Sequence, residues 1–442
     1  MHRKITSLAA VCAVAASSVF AADVDPLVQT GLRLADGTEQ KVLEWRRHIH
    51  SNPELSWQEK ETARYIAQIL ATMPGYEVQT GIAGTGIKAV LRGGKPGPVV
   101  ALRAELDALP VQERNSLPFR STKKALYRGQ EAFVGHVCGH DTHMAMQLGA
   151  ARVFSEMRAE LPGTVVLIFQ PAEEGGPGNS GAVKMVEAGV LDNPKVDLVM
   201  GQHIVAAGPS GTIGYRSGAL LSSAENFVIN LVGKGGHGSA PWASNDPVLA
   251  AAEIVQSLQG IISHRINQQD GVTVLTIGML QSGNRTNILP ETAEIGGTVR
   301  TFSKENQRIV REEIMRRAQK IAESHQLKAD VKVGSGGYDM VISDPALTKA
   351  LVPAFDAAAA DLGVAMQTPA SMGSDDFSAL TSTGVPSVFW RLYASPFSGK
   401  AGAPNHSPEF VVDESAMKVG VRALVAATVQ YMAVAGPRGA SR

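Results

Sequence analysis

Residues 164–169 read Thr-Val-Val-Leu-Ile-Phe, an apolar run without polar alternation. Such a run is typical of a strand that is buried on both faces of its sheet. Helical patterns over 142–158 and 180–188 flank it, and similar runs recur along the chain. These further runs occupy 86–91, 99–102 and 197–200. Strands that alternate with helices predict an α/β fold with a largely parallel sheet flanked by helices.

The pattern changes after residue 218. Four strand patterns and two amphipathic helix patterns follow in the order βαββαβ, which is the order of a ferredoxin-like unit. The strands cover 225–233, 272–280, 291–301 and 328–333, and the helices cover 246–265 and 305–325. We therefore predict that a smaller α+β domain is inserted in the first one.

Outside the insertion, the α/β pattern resumes with a helix over 345–363, a strand at 387–390 and a helix over 413–435. The predicted α/β domain thus has two parts, and their bounds are 22–218 and 334–442, with the inserted domain over 219–333. Near the start of the first part, Ser56 and Glu59 form a capping-box pattern. This pattern predicts that a helix begins at about Ser56.

The first 21 residues have the features of a signal peptide. Arg3 and Lys4 precede an apolar stretch over 5–18, and Val19-Phe20-Ala21 forms a small-residue cleavage site. The stretch is too short for a membrane span. We predict export to the periplasm or the medium, cleavage near Ala21, and no membrane span in the mature chain.

The charge balance is neutral. The chain has 41 basic and 41 acidic residues, and 44% of its residues are apolar. Because the predicted signal peptide removes two basic residues, the mature chain would have 39 basic and 41 acidic ones. The composition excludes disorder as the overall state, and it gives no electrostatic reason to expect binding to nucleic acid.

The densest cluster of reactive side chains lies at residues 135–143, which read Gly-His-Val-Cys-Gly-His-Asp-Thr-His. Cys12 leaves with the predicted signal peptide, so Cys138 has no disulfide partner. Cys138 and His140 are two positions apart, and in an extended backbone they would point to the same side. Thiolate and imidazole suit zinc and similar divalent ions. Alternatively, Cys138 is a nucleophile with a histidine as its base.

A second candidate segment, Gln-Pro-Ala-Glu-Glu-Gly-Gly at 170–176, directly follows the buried strand. Open α/β sheets place ligands at the carboxyl ends of their strands. With two adjacent carboxylates, Glu173 and Glu174, one can bind a metal while the other accepts a proton from water. His203 follows another apolar run, and His406 lies in a loop near the C-terminus. Both are further candidate ligands.

Six motifs along nearly the whole mature chain resemble, in the expected order, the aminoacylase and carboxypeptidase family of dinuclear metallopeptidases. Within that family the chain is most similar to the amidohydrolase branch, which includes hippurate hydrolase and auxin-conjugate hydrolase types. The motifs are Arg-Arg-His-Ile-His-Ser-Asn-Pro-Glu-Leu at 46–55, Ala-Leu-Arg-Ala-Glu-Leu-Asp-Ala-Leu-Pro at 101–110, Cys-Gly-His-Asp at 138–141, Gln-Pro-Ala-Glu-Glu-Gly-Gly at 170–176, Gly-Gly-His-Gly-Ser-Ala-Pro at 235–241, and Asn-His at 405–406.

The resemblance implies two divalent metal ions per subunit. We predict zinc or manganese, because thiolate suits zinc and a mixed shell of nitrogen and oxygen ligands also accepts manganese. The predicted reaction is hydrolysis of the amide bond of small N-acyl amino acids or related conjugates. The resemblance implies five ligands, which are Cys138, His140, Glu174, His203 and His406. It makes Glu173 the general base and Asp107 a residue that orients the site.

The resemblance also implies that the inserted domain forms a homodimer. His237 would then stabilise the tetrahedral intermediate in the partner's site. Asn287 and Arg300 match positions that bind the substrate, and a guanidinium suits a carboxylate because it binds bidentately.

Two positions depart from the family pattern, which usually has Asp where Glu105 stands and Glu where Asp375 stands. Both changes keep the charge and move it by one methylene, so they affect substrate fit more than chemistry. Two other functions remain open at this point. One is a cysteine hydrolase that uses Cys138 with His140 or His143, and the other is an exported binding protein without catalytic activity on the same fold.

Overall fold

The computed structural model describes residues 24–176, 178–334, 336–398 and 400–436, and the predicted signal peptide lies outside these ranges. Ten α-helices in the described ranges are numbered along the chain. They are α1 Pro26–Asp36, α2 Glu39–Ser51, α3 Lys60–Ala71, α4 His140–Glu156, α5 Gly181–Glu187, α6 Pro247–His264, α7 Lys304–Ser324, α8 Pro345–Ala359, α9 Phe377–Thr381 and α10 Ala416–Ala435.

The strands are numbered in the same way. They are β1 Tyr76–Ile82, β2 Gly86–Arg92, β3 Lys95–Glu105, β4 Lys124–Tyr127, β5 Gln130–Phe133, β6 Pro162–Gln170, β7 Leu198–Val205, β8 Thr212–Tyr215, β9 Gly218–Leu221, β10 Ser223–Val232, β11 Gly236–His237, β12 Thr273–Ser282, β13 Ile288–Leu289, β14 Thr292–Thr301, β15 Lys328–Val333, β16 Val341–Ser343, β17 Ala365–Gln367 and β18 Ser387–Tyr393.

The larger domain is built on an eight-stranded sheet in the order β1-β2-β6-β3-β7-β18-β8-β17. Its four central strands, β6, β3, β7 and β18, pair in parallel. Antiparallel pairing occurs between β1 and β2, between β2 and β6, and between β18 and β8. The predicted α/β class with a largely parallel sheet is confirmed.

Helices cover both faces of this sheet, which explains why its central strands lack polar alternation. Val100 and Leu102 of β3 belong to a core cluster with residues of α4 and α10. Val99 and Ala101 point the other way, into a cluster with residues of α5 and α9. Because both faces are buried, every residue of β3 from 98 to 105 is buried.

The second sheet has four antiparallel strands in the order β12-β14-β10-β15. The chain enters this sheet by β10, and the successive strands β10, β12, β14 and β15 occupy the third, first, second and fourth places. Apolar residues of α6 and α7, among them Ile254 and Ile314, pack against the sheet. This arrangement is the predicted ferredoxin-like βαββαβ unit.

The chain passes between the two domains twice, and these two crossings lie next to each other. Ala224 and Tyr338 exchange two backbone hydrogen bonds, with N···O distances of 2.9 and 2.8 Å. Beside them, β9 pairs antiparallel with β16. The inserted sheet therefore begins and ends at one place on the larger domain.

The predicted start of a helix at about Ser56 is wrong. The helix α3 begins at Lys60, because Ser56 and Glu59 make contacts outside it. The Ser56 hydroxyl donates to Asp107 over 2.6 Å, and the Glu59 carboxylate accepts the backbone N–H of Trp57 and of Ala172.

None of the helices in the described ranges has both the length and the apolar character that crossing a bilayer requires.

Candidate metal centre

The candidate ligands converge at the carboxyl ends of the central parallel strands. Cys138 and His140 lie at the start of α4, Glu174 lies in a single 3-10 turn after β6, and His203 lies near the end of β7. His406 belongs to the loop after β18 and has a positive φ of 74°. The order of the parallel strands thus explains how residues from four segments reach one place.

The extended backbone expected between Cys138 and His140 is not observed. Gly139 has a left-handed conformation, with φ 94° and ψ 11°, and α4 begins at the next residue. Its conformation is one that a glycine adopts without strain. Cys138 and His140 nevertheless reach the same cluster, since the thiol and the ring each lie within 4.8 Å of a ring nitrogen of His203.

The thiol of Cys138 is at the centre of the cluster. Its Sγ lies 3.5 Å from Nε2 of His203 and 3.3 Å from Nε2 of His406. Nε2 of His406 lies 2.9 Å from Oε1 of Glu174. Atoms that bind one ion at zinc-like distances are roughly 3–4 Å apart, so these separations suit a shared cation.

Two of the histidines are held in the tautomer that a metal ligand needs. Nδ1 of His140 donates to the backbone oxygen of Asp107, and Nδ1 of His203 donates to that of Ile204, both over 2.8 Å. In the neutral ring, Nε2 of each histidine therefore carries the lone pair that a metal ion would take.

Unsatisfied polar atoms in the cluster also fit a metal. Nε2 of His140 and Oε1 of Glu174 are buried and have no hydrogen-bond partner. The short approach of Glu174 to His406 does not have the geometry of a hydrogen bond. Since buried polar atoms are rarely left unpaired, the thiol, imidazole and carboxylate groups fit divalent cations as their missing partners.

Asp107 holds the turn that carries the two glutamates. Its carboxylate, fully buried, accepts the backbone N–H of Glu173 over 3.2 Å and that of Glu174 over 2.9 Å. Ala172, which precedes them, has φ 48° and donates its N–H to Glu59 over 2.9 Å. Two buried carboxylates therefore fix the direction in which Glu173 and Glu174 leave the turn.

The cluster would be strongly anionic if its carboxylates and its thiol were all ionised and no cation were present. Burial and nearby carboxylates, Asp375 and Glu174, raise the pKa of Glu173 well above its usual value. Burial and the same glutamates raise the pKa of the Cys138 thiol. Burial alone would lower the pKa of His140, but Glu105 and Asp107 raise it to about 10. Divalent cations would remove this excess of negative charge.

A buried arginine lies under the cluster. Arg103 donates to Glu105, and it also contacts Asp375 and Asp376 at 3.0 and 2.8 Å. All four side chains are at most 3% exposed. The two positions that depart from the family pattern, Glu105 and Asp375, thus contact the same guanidinium.

Both ring nitrogens of His143 are engaged in contacts within the protein. Its Nδ1 contacts Glu105 over 2.7 Å, and its Nε2 accepts the backbone N–H of Ile204 over 2.8 Å. With both nitrogens engaged, His143 has no lone pair to offer as the base of a cysteine nucleophile.

A cavity of about 430 Å³ opens on the cluster. Cys138, Glu173, Glu174, His203 and His406 form part of its wall, and the rest includes Val205, Leu221, Arg300, Tyr338, Asp375, Phe389 and Arg391. Arg300 donates to the backbone oxygen of Met372 over 2.6 Å, and the Tyr338 hydroxyl donates to that of Glu173 over 3.1 Å. The inserted domain therefore contributes Arg300 to a cavity of the larger domain.

His237 and Asn287 do not line this cavity in the single chain. His237 is exposed, and its Nδ1 contacts Ser239. The motif 236–238 lies beside Asn287, because β11 pairs with β13 and the N–H of Gly238 donates to the Asn287 oxygen. These two predicted residues thus lie together and outside the wall of the cavity.

Sequence reasoning did not identify the roles of Arg103, Asp376, Tyr338 and Arg391. Arg103 lies inside the motif 101–110, and Asp376 directly follows Asp375, but their contact joins positions 273 residues apart. For Arg391 a signal was present, since it interrupts the apolar strand Val-Phe-Trp-Arg-Leu-Tyr at 388–393.

The chain resembles known proteins over most of its length. The model of peptidase family M20/M25/M40 matches residues 101–430. Thermostable carboxypeptidase 2 of Saccharolobus solfataricus is 35% identical over 395 residues, which are 89% of this chain and 96% of that protein. The N-acyl-L-amino acid amidohydrolase of Geobacillus stearothermophilus is 39% identical over 311 residues, which are 70% of this chain and 80% of that protein.

Among solved structures, the YXEP protein of Bacillus subtilis, described as a dinuclear metal binding peptidase of the M20 family, superposes with a TM-score of 0.75. It is 34% identical, and the alignment covers 90% of this chain and 99% of that one.

Proposed function

The chain belongs to peptidase family M20/M25/M40, and we propose that it hydrolyses the amide bond of small N-acyl amino acids or related conjugates. Membership makes it a metal-dependent hydrolase of amide bonds, and it confirms the family that the six motifs indicate. The observation that carries the proposed reaction is the position of Glu173. It shares a cavity with the ligand cluster, but its neighbour Glu174 is the one that approaches His406.

Five residues would hold two divalent ions, and these are Cys138, His140, Glu174, His203 and His406. Such ions supply Lewis acidity toward the scissile carbonyl and the attacking water. The thiol favours zinc, while the nitrogen and oxygen donors also accept manganese.

Glu173 acts as the general base. It takes a proton from the attacking water and delivers a proton to the leaving amine nitrogen. Asp107 supports this role through the backbone N–H groups of Glu173 and Glu174, which keep the two carboxylates apart. The Tyr338 hydroxyl holds the same turn, because it donates a hydrogen bond to the backbone oxygen of Glu173.

Arg300 binds the α-carboxylate of the substrate. Its guanidinium lies at the cavity wall, and its contact with the Met372 oxygen uses one nitrogen and leaves other donors. A free α-carboxylate is common to N-acyl amino acids and to the peptides that a carboxypeptidase cleaves. This group is therefore the feature of the substrate that we expect to be required.

The inserted domain forms a homodimer that brings His237 and Asn287 to the partner's cavity. Support comes from their absence from the cavity wall in one chain and from exposed apolar side chains on this domain. Trp242 is 83% exposed, Leu249 60% and Leu280 51%. Pairing of two such domains would cover exposed apolar groups of this kind.

The mature enzyme acts outside the cytoplasm. The support is the basic n-region, the apolar stretch and the cleavage site of residues 1–21. Fractionation of producing cells, with N-terminal sequencing of the product, tests this location. A cytoplasmic product that keeps residues 1–21 would contradict it.

A direct test distinguishes the proposed roles of Glu173 as the general base and Glu174 as a metal ligand. Glu173→Gln should keep both metal ions while kcat falls by about 10²–10⁴-fold, the range for the loss of acid–base catalysis. Glu174→Gln should lose metal, and added metal should restore part of its activity. The measurement is metal content by elemental analysis beside kcat.

The substrates for this test are N-acetyl and N-benzoyl amino acids and dipeptides, with added Mn, Zn or Co. Hydrolysis of none of them would contradict the proposed reaction. If Glu173→Gln emptied the site while Glu174→Gln stayed loaded, the two roles would have to be exchanged.

A further inference from the structure

Arg391 is a cation in the wall of the cavity that the proposed reaction does not use. It lies on β18, in parallel register with His203 on β7. Neighbours in register point to the same face of a sheet, so the Arg391 side chain lies beside a candidate ligand. Phe389, two positions earlier, lines the same cavity.

Arg391 differs from the other half-buried arginines of the described ranges because it has no partner. It is half-buried, and its side chain makes no hydrogen bond, ion pair or cation–π contact with a described residue. The others pair with carboxylates or with backbone oxygens. They are Arg152 with Glu156, Arg216 with Ala219, Arg300 with Met372, Arg311 with Glu225, and Arg317 with Glu313.

A guanidinium in a cavity loses part of its hydration. Without a protein acceptor, no hydrogen bond compensates for that loss. Charged side chains that are taken from water are normally paired. Here the missing acceptor has a place to bind, because the guanidinium faces the cavity that holds the substrate. Its planar array of donors fits a carboxylate bidentately.

We propose that Arg391 binds a second carboxylate of the substrate, in addition to the α-carboxylate at Arg300. This inference rests on the proposed function and narrows it to N-acyl amino acids that carry two carboxylates. The second one belongs either to an acidic amino-acid side chain or to a dicarboxylic acyl group. Val205, Leu221 and Phe389 supply apolar wall for the methylene groups between the two carboxylates.

The test compares matched pairs of substrates. One pair is N-acetyl-L-glutamate and N-acetyl-L-glutamine, and the other is N-succinyl-L-alanine and N-butanoyl-L-alanine. The wild-type enzyme should prefer the dianionic member of one pair by about 10- to 100-fold in kcat/KM, which is what a charge-assisted hydrogen bond contributes. The pair that shows the preference identifies the source of the second carboxylate.

Arg391→Gln should bring that ratio close to one, because kcat/KM for the dianionic member falls much more than kcat/KM for the monoanionic member. Arg391→Lys should keep part of the preference, because it keeps the charge without the planar fork. Arg128→Gln is the matched control, since it removes the same charge from an exposed hairpin and should keep the full preference. No preference in either pair, or an equal loss on both members in Arg391→Gln, would overturn the proposal.

Binding without turnover separates this inference from the proposed reaction. Calorimetric titration of the metal-loaded enzyme with glutarate and with butanoate should show tighter binding of glutarate, and Arg391→Gln should abolish the difference. If no amide is hydrolysed but this difference is found, the proposed reaction fails and the Arg391 site stands. Equal binding of the two acids by wild type would overturn the Arg391 site.

Discussion

Replacing Arg103 by methionine should destabilise the larger domain by about 3–5 kcal/mol at pH 8, the cost of removing one partner from a buried ion pair. Methionine keeps most of the volume of the arginine side chain, so the decrease in unfolding free energy comes mainly from the missing charge. The substitution leaves Glu105, Asp375 and Asp376 without their cation, and each of these carboxylates is at most 3% exposed. They take up protons instead of remaining ionised, and this limits the loss.

The destabilisation caused by Arg103→Met should be smaller at pH 6 than at pH 8. Burial and Asp375 already raise the pKa of Asp376 to about 7 in the presence of Arg103, and burial raises that of Asp375. Without the guanidinium both values rise further. A carboxyl whose pKa is raised in the folded state binds more protons there than in the unfolded chain. The unfolding free energy of the variant therefore falls as pH rises above the unfolded value of about 4.

The assay is urea unfolding at pH 6 and pH 8 in the presence of a chelator, followed by tryptophan fluorescence. Trp390 is fully buried on β18, so its emission follows the unfolding of the larger domain. The control is Arg152→Met, which removes a solvent-accessible surface pair with Glu156 in the same domain and should cost no more than about 0.5 kcal/mol. A loss below about 1 kcal/mol for Arg103→Met, the ordinary effect of a point substitution, or the same loss at both pH values, would refute the reasoning.

Two further predictions concern the metal ligand and the partner's histidine. Cys138→Ser should lower metal content and activity together, as measured by elemental analysis and hydrolysis, and dialysis against a chelator should abolish wild-type activity; full activity of metal-free protein would mean that Cys138 is not a ligand. His237→Ala should lower kcat by about 10²-fold or more with unchanged metal content, as expected for a lost oxyanion donor. Mixed dimers of His237→Ala and Glu173→Gln subunits should regain activity if His237 acts in the partner's site, whereas a monomer in sedimentation or a fully active variant would contradict this role.

The central strands could be predicted because both of their faces are buried, which leaves continuous apolar runs such as 164–169. The strand β1 was not predicted, since it pairs only with β2 at the edge of the sheet and most of its residues are exposed or half-buried. The start of α3 was misjudged because Ser56 bonds Asp107, and such a contact between distant residues leaves no local pattern.

The candidate site was predictable where its residues follow strands or lie in motifs, as Cys138, His140 and Glu174 do. The contact of Arg103 with Asp375, 272 positions away, depends on the order of strands in the sheet, which the sequence does not state. Arg391 was overlooked because a single charge in an apolar strand is ordinary at an edge. Only the sheet order puts it beside His203.

The adjacent crossings at Ala224 and Tyr338 make the inserted domain a cassette. Because its two ends are hydrogen-bonded to each other, a short turn between them would close the larger domain with the order of its eight strands intact. Arg300 is carried on β14 and would leave with the cassette, whereas the ligand cluster and Arg391 would stay. Exchange of this one segment is thus a route by which such a chain can acquire a new substrate while it keeps its chemistry.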